Sequence, residues 1–551
     1  MRKILIILFT MLCPWLSTTG KACTNLIVGK GASKDGSVIL SYSSDDYGAF
    51  GHLFFYPRAR HDKGQMRQLY HYETLNYLGE IPEAEETYQV VGLCNEYQLT
   101  IFETTFGGRE ELWDGPGLFD YGSLMTVTLQ RCKTARQAVE MMGRLVNEYG
   151  YISEGESFSI ADKNEVWIME MIGKGKDTKG AVWVARRIPD DMICAHANHS
   201  RIRQFPLKDK DNCLYSNDVI SFARQKGYFS GKDEDFSFSE AYAPADFEAK
   251  RFCEARVWSF FNKWGNDDMQ KYLPYAMGVD KDGDAHEMPL WIKPKAKLSV
   301  QDVKDMMRDH YEDTPMDIRT GLGAGAWEMP YRPTPLTYEV DSVKYFNERP
   351  ISTQQSSNIY VSQLRSWLPD YIGSCLWYGN DEANMVALTP IYPGSMKRVP
   401  HCYSDKSADA FTFSFKNAFW VCNWVSNMVY LRYNLLFPEL KSVRDRLEAD
   451  YNSMQAEIEE IAKGRGHVEG AKYLSDYSTR MAQGMMSEWN DLAKLIIVKY
   501  NDMAVKQQDA NGKYLHTPGN APRPVMRPGY PESFRRKIVQ ESGEKYKMPQ
   551  Q

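Results

Sequence analysis

The chain is short of several things, and each shortage removes a class of function. It has no excess of basic residues: Lys and Arg number 66 against 72 Asp and Glu, for a net charge of -6. A phosphate-gripping surface needs the opposite balance, so general nucleic-acid binding is excluded. Beyond the first dozen residues there is no apolar run near the roughly 20 residues needed to cross a bilayer. Ten cysteines occur in 551 residues, none in a C-x-x-C pair, which argues against a zinc ribbon or thioredoxin-type site. No phosphate loop and no Gly-x-Ser-x-Gly elbow is found. His196-x-x-His199 lacks the glutamate of a His-Glu-x-x-His helix. Asp280-Lys-Asp282-Gly283-Asp284 starts like a calcium loop but has Trp291 where the twelfth-position glutamate belongs. Gly321-Leu-Gly323-Ala-Gly325 puts Ala326 at the sixth place of a dinucleotide fingerprint. No metal or cofactor is therefore implied.

What remains is an ordinary globular composition, 43% hydrophobic and 25% charged, on a chain long enough for several units. The N-terminus is distinctive. Arg2 and Lys3 precede an apolar stretch from Ile4 to Leu12, and small or polar residues follow from Ser17 to Ala22. This is the order of a secretory signal, with Gly20 and Ala22 at the -3 and -1 positions of a cut before Cys23. The expected location is the periplasm or the exterior of a bacterium. Exported cysteines can pair, and the spacing leaves their connectivity open.

Residues 23–29 and 37–42 alternate and flank a turn-like stretch, as a hairpin does, and further hairpins are predicted around 94–96 and 161–165. Thr134-x-x-Gln137 and Ser299-x-x-Asp302 open helices. Strand pairs interleaved with helices predict an α+β fold with antiparallel sheets. The domain reading is a signal over 1–22, a catalytic domain over 23–435, a helical extension over 436–506 and a Pro-rich extended tail over 507–551.

The residue that carries chemistry is Cys23. A thiolate is the nucleophilic form of cysteine, and an α-amino group, with a pKa of about 7.7–8.0, can accept a proton near neutrality. A cysteine exposed by cleavage holds nucleophile and base on one residue. The same position admits a rival, a lipoprotein anchored through Cys23. Lys21 fits a lipoprotein signal badly.

The segment Cys23-Thr-Asn-Leu-Ile-Val-Gly-Lys-Gly-Ala-Ser-Lys-Asp-Gly-Ser37 resembles the opening of the dipeptidase A-type family of N-terminal-nucleophile (Ntn) cysteine peptidases, relatives of the secernins. Gly92-Leu-Cys-Asn95-Glu96 with Glu103-Thr-Thr105, Ala195 to Ile202, and Ser362 to Trp377 are similar to later family blocks. The resemblance implies an αββα sandwich and hydrolysis of dipeptides through a thioester on Cys23. It implies oxyanion or amine-orienting roles for Asn95 and Asn198, and a hydrogen bond from Asp45 near the amine or thiol. Many relatives read Arg-Asn-x-Asp where this chain reads Tyr42-Ser43-Ser44-Asp45. Tyr42 and Arg365 are therefore expected at the substrate, with Arg365 standing in for the missing cation. Small peptides are the expected partners, the oligomeric state is open, and the alternative activity is an acylase on bile-acid, penicillin or homoserine-lactone amides.

Overall fold

The computed structural model describes residues 23–279, 286–519, 521 and 524–549. The expected signal and the Asp280–Asp284 stretch lie outside them.

Alternating apolar residues build two large sheets, and the fold is α+β. The first sheet has seven strands, in the order Trp291–Ile292, Ile193–His196, Thr24–Val28, Val38–Asp45, Ser356–Leu364, Ser374–Asn380 and Thr389–Ile391. The second has eight: Cys213–Tyr215, Ala181–Arg187, Val166–Gly173, Gly155–Ala161, Thr100–Gly107, Cys94–Asn95, Val90–Val91 and Phe55–Tyr56. Neighbouring strands run antiparallel throughout both. The sheets meet where strands 24–28 and 38–45 lie against strand 100–107.

The two-residue period sorts side chains between faces. In strand 166–173, Val166, Ile168 and Ile172 join the core shared with the first sheet, while Trp167, Met169 and Met171 face helices Tyr121–Leu129 and Ala135–Tyr149. On the outer side of the first sheet, helix Val300–Met306 packs on strands 38–45 and 356–364, and Ser41 Oγ meets Met307 Sδ at 3.0 Å. Ser299 and Asp302 form a complete capping box. Thr134 caps its helix through Gln137 N–H, but Gln137 Oε1 turns to Lys133 N–H, which leaves half of the expected box.

Helices Ala418–Tyr430, Tyr433–Gly464 and Gly466–Tyr500 form the outer layer over strands 374–380 and 389–391. The 433–464 helix begins before residue 436, where the helical extension is expected. It starts earlier because burial of Tyr433 and Leu436 outweighs the backbone bond lost at Pro438. Two buried ion pairs fasten this helix, Arg308–Glu448 at 2.6 Å and Arg365–Glu459 at 2.7 Å. Burial raises the Glu448 carboxyl, and Arg308 with Lys304 overrides this and holds it at about 2. Glu459→Ala strands Arg365 without its counter-charge. It is expected to cost about 3–5 kcal/mol in denaturant unfolding.

The tail departs from its expected extended form. Val505–Lys506 pairs with Val525–Met526, and Glu532–Ser542 is a helix that starts directly after Pro531 and carries a Glu532–Arg536 pair one turn apart. Proline content sets where this helix begins and does not prevent it. Among the described residues no helix is long and apolar enough to cross a membrane, and the nine cysteines are free and buried.

Candidate active site

Strand 24–28 delivers Cys23 to the seam between the sheets. Thr24 pairs with Ser43 and Asn25 with Tyr42, so Cys23 lies at the Ser44–Asp45 end of the neighbouring strand. Its Sγ is 3.8 Å from Tyr42 Oη and 3.7 Å from Glu103 Oε1, and Tyr42 Oη donates to Glu103 Oε1 at 2.7 Å. Phe102 and Tyr360 stack on the Tyr42 ring, with centroids at 5.5 and 5.8 Å, and hold its hydroxyl in place.

Asp45 is fully buried. It accepts from Arg349 Nη2 at 2.5 Å, Ser356 Oγ at 2.6 Å and Ser43 Oγ at 3.0 Å, and its own backbone N–H reaches the Cys23 thiol. Arg256, on helix Ala255–Trp264, donates to Cys23 O at 2.6 Å, Thr24 Oγ1 at 2.8 Å, Ala197 O at 3.0 Å and Asn198 Oδ1 at 3.0 Å. Asn198 adopts φ 63°, a left-handed conformation that asparagine tolerates better than most residues, and its Nδ2 donates to Thr105 O at 2.8 Å. The following turn is shaped by Glu170, which accepts from Ser200 Oγ, Arg201 N–H and Ile202 N–H. Burial pushes that carboxyl up to about 7.

The site therefore unites Cys23, Tyr42, Asp45 and Asn198 with three groups the sequence reading did not place there, Glu103, Arg256 and Arg349. The two buried arginines do not act on the thiol directly: Arg349 pairs with Asp45, and Arg256 holds the Cys23 carbonyl and the Asn198 side chain. An arginine directly before the mostly apolar run Val257-Trp-Ser-Phe-Phe261 was the available signal for Arg256, since an arginine carried into a core needs partners.

Two expected residues are elsewhere. The Asn95 amide donates to Leu129 O and Cys132 O, each at 2.8 Å, and accepts from Tyr97 N–H and Leu99 N–H. Its side-chain hydrogen-bonding capacity is spent closing the 94–100 turn and tying that turn to the end of helix 121–129 and the residues after it. Arg365 follows the far end of strand 356–364, whose near end pairs with Asp45, so at about 3.3 Å per residue it lies about 20 Å from Cys23. Its guanidinium is bound to Glu459, Gly373 O and Ile372 O. Both assignments are corrected on these grounds.

Burial, then the charges of Glu103 and Asp45, push the Cys23 thiol well above its ordinary range, against the pull of the Asp45 N–H and the Tyr42 hydroxyl. The thiol is held protonated at neutral pH, so attack needs a base. His196 is not that base: burial pushes it down to about 3, and its ring nitrogens meet Thr104 Oγ1 and Ser159 Oγ, each at 2.7 Å. His199 is pushed down to about 4 by the same cause. No cluster among the described residues has the make-up of a metal site. A raised thiol leaves less thiolate at a given pH. Iodoacetamide alkylation of Cys23 in the full-length chain is therefore expected to keep rising past pH of about 9, above an ordinary cysteine, as mass spectrometry of the Cys23 peptide would measure.

Residues 22–445 match the model of peptidase family C69. The chain belongs to this family. C69 is a family of cysteine peptidases, so the protein is a peptidase. The match begins one residue before Cys23 and ends inside the 433–464 helix. This C69 peptidase is 24% identical over 507 residues to a probable dipeptidase of Latilactobacillus sakei, covering 87% of this chain and 97% of the relative. It is 26% identical over 394 residues to a probable dipeptidase of Salmonella dublin, covering 68% and 81%. It is 24% identical over 412 residues to a dipeptidase of Bifidobacterium longum, covering 68% and 71%.

Proposed function

We propose that this C69 peptidase is an exported dipeptidase whose nucleophile is the thiol of an N-terminal Cys23. The observation that carries the reading is the position of Cys23: first residue of the sheet seam, after a signal-like leader, with its thiol against Tyr42 and Glu103 and its carbonyl tied to Arg256. The dipeptidase names of relatives aligned over most of their length support the substrate class. The two facing sheets with helices outside are read as the αββα sandwich of Ntn hydrolases.

In the proposed reaction the freed α-amine of Cys23 takes the thiol proton as sulfur bonds to the scissile carbonyl carbon. The oxyanion is met by the Asp45 backbone N–H and the Asn198 amide. Collapse breaks the C–N bond, and the α-ammonium returns its proton to the leaving amine. Water, deprotonated by the same α-amine, then attacks the thioester carbon; the C–S bond breaks, the α-ammonium returns the proton to the sulfur, and the second amino acid leaves. Arg256 fixes the Cys23 carbonyl and the Asn198 side chain, and Arg349 with two hydroxyls fixes Asp45; both arginines are positioning groups.

The test is a substrate panel on the mature protein: unblocked dipeptides beside bile-acid, penicillin and homoserine-lactone amides. Turnover of the dipeptides is expected. Turnover confined to the acyl amides would overturn the substrate class.

A further inference from the structure

Glu103 does not stand alone beside the thiol. Residues 100–107 and 155–161 pair with Thr105 opposite Glu156, which puts Glu103 and Glu156 on one face of the second sheet. Glu156 accepts from Thr105 Oγ1 at 2.7 Å, and its carboxyl lies within reach of the Glu103 charge. Both carboxyls are buried, at 2% and 1% exposure. Two carboxylates in contact cannot both ionise at ordinary cost, so such a pair keeps one proton. Burial and then the Glu103 charge push Glu156 well above the ordinary carboxylate range. Among the described residues, the titratable groups that act on the pair include Cys23 and Tyr42 from the first sheet and Glu154, Tyr121, Tyr151 and Tyr72 from the helix and loops above, and in the mature chain the α-amine of Cys23 adjoins the Glu103 carboxyl.

A second observation comes from the other sheet. Asn25, fully buried, donates through Nδ2 to Glu103 O at 2.7 Å, while its Oδ1 has no hydrogen-bond partner among the described residues. It is a buried acceptor beside Tyr42 with its lone pairs unused.

We propose that Glu103, Glu156 and Asn25 form the subsite for the free α-ammonium of the substrate's first residue. The inference rests on the dipeptidase reading and adds to it the reason an unblocked N-terminus is selected. The distances close. An attacked carbonyl carbon stands about 3–3.5 Å from the nucleophile. The substrate's α-nitrogen is about 2.5 Å from that carbon by bond geometry, and an ammonium–carboxylate hydrogen bond is about 2.8 Å. A carboxylate oxygen 3.7 Å from Sγ completes this four-sided figure. An N-acyl group there brings no charge and leaves both carboxyls and Asn25 without a cation to bind.

The chemistry fixes a readout. At pH 7 a dipeptide arrives with its amine protonated, and the ammonium replaces the proton shared by the carboxyl pair. Binding should release about one proton per dipeptide. The experiment is calorimetric titration of the mature Cys23→Ala protein with alanylalanine and with N-acetyl-alanylalanine, each in two buffers of different ionisation enthalpy. The expected result is at least tenfold tighter binding of alanylalanine, with proton release. Glu156→Gln in the same background should remove most of that preference and the release. In the cysteine-containing protein, Glu156→Gln should leave the pH profile of Cys23 alkylation in place. Equal binding of the two ligands, no measurable binding of alanylalanine, or binding without proton release would overturn the subsite. So would a Glu156→Gln variant that moves the alkylation profile and spares the preference, since the pair would then serve the enzyme's own amine. The comparison of ligands needs no Glu156 variant and no turnover. A binding preference without hydrolysis by the wild-type protein would count against the dipeptidase reading and leave the subsite standing.

Discussion

Cys23→Ala is expected to lower kcat/KM for dipeptides by about 10⁴–10⁶-fold, the scale seen when a covalent nucleophile is removed. Nothing else at the seam can replace it. The hydroxyl nearest the thiol, Tyr42 Oη, is committed to Glu103 at 2.7 Å, and its own proton is held tightly because burial and then the Cys23 and Glu103 charges push it well above its ordinary value. The substitution removes one sulfur from a buried position and leaves the backbone contacts of Cys23 with Arg256 intact. Fold and thermal midpoint should therefore change little, which circular dichroism would check beside the assay. More than one hundredth of wild-type activity in a folded variant would contradict the nucleophile assignment.

The second large effect concerns the base. A mature chain carrying one extra residue before Cys23 keeps the thiol, Tyr42, Glu103 and Arg256 but converts the α-amine into an amide, which accepts no proton. General-base catalysis contributes about 10²–10⁴-fold, and a loss of about 10³-fold is expected. The buried histidines cannot compensate, since His196 and His199 are pushed down to about 3 and 4. Glu103, 3.7 Å from the thiol, is the other group within reach. Full activity in the extended chain would transfer the base role to Glu103. Comparing kcat of the two chains on one dipeptide decides between them.

The parts of this site that were legible in the sequence are those held by neighbouring residues. Cys23 is marked by the signal-like order of the residues before it, and Tyr42 and Asp45 lie on the next strand of the same hairpin, so reading one strand pair brings all three together. Asn198 is on strand 193–196's exit, and that strand pairs with 24–28. Glu103, Arg256 and Arg349 arrive from the second sheet, an outer helix and the approach to strand 356–364, and only packing brings them to the thiol. Asn95 and Arg365 show the opposite limit. Each lies in a block similar to the family's, but a block does not say which way its side chains point. The Asn95 side chain is consumed by its own turn and by the carbonyls of Leu129 and Cys132, and Arg365 is at the wrong end of its strand. The α+β class followed from the strand period and the turns. The tail did not, because composition alone cannot show that Pro531 begins a helix.

The central claim is that the working protein begins at an unmodified Cys23. Intact-mass and N-terminal analysis of the protein recovered from its native envelope tests it directly. The account predicts a chain starting at Cys23 with a free amine and a free thiol. A diacylglycerol and acyl group on Cys23, or a mature chain starting at any other residue, would contradict it, because either would leave the seam without its nucleophile and base.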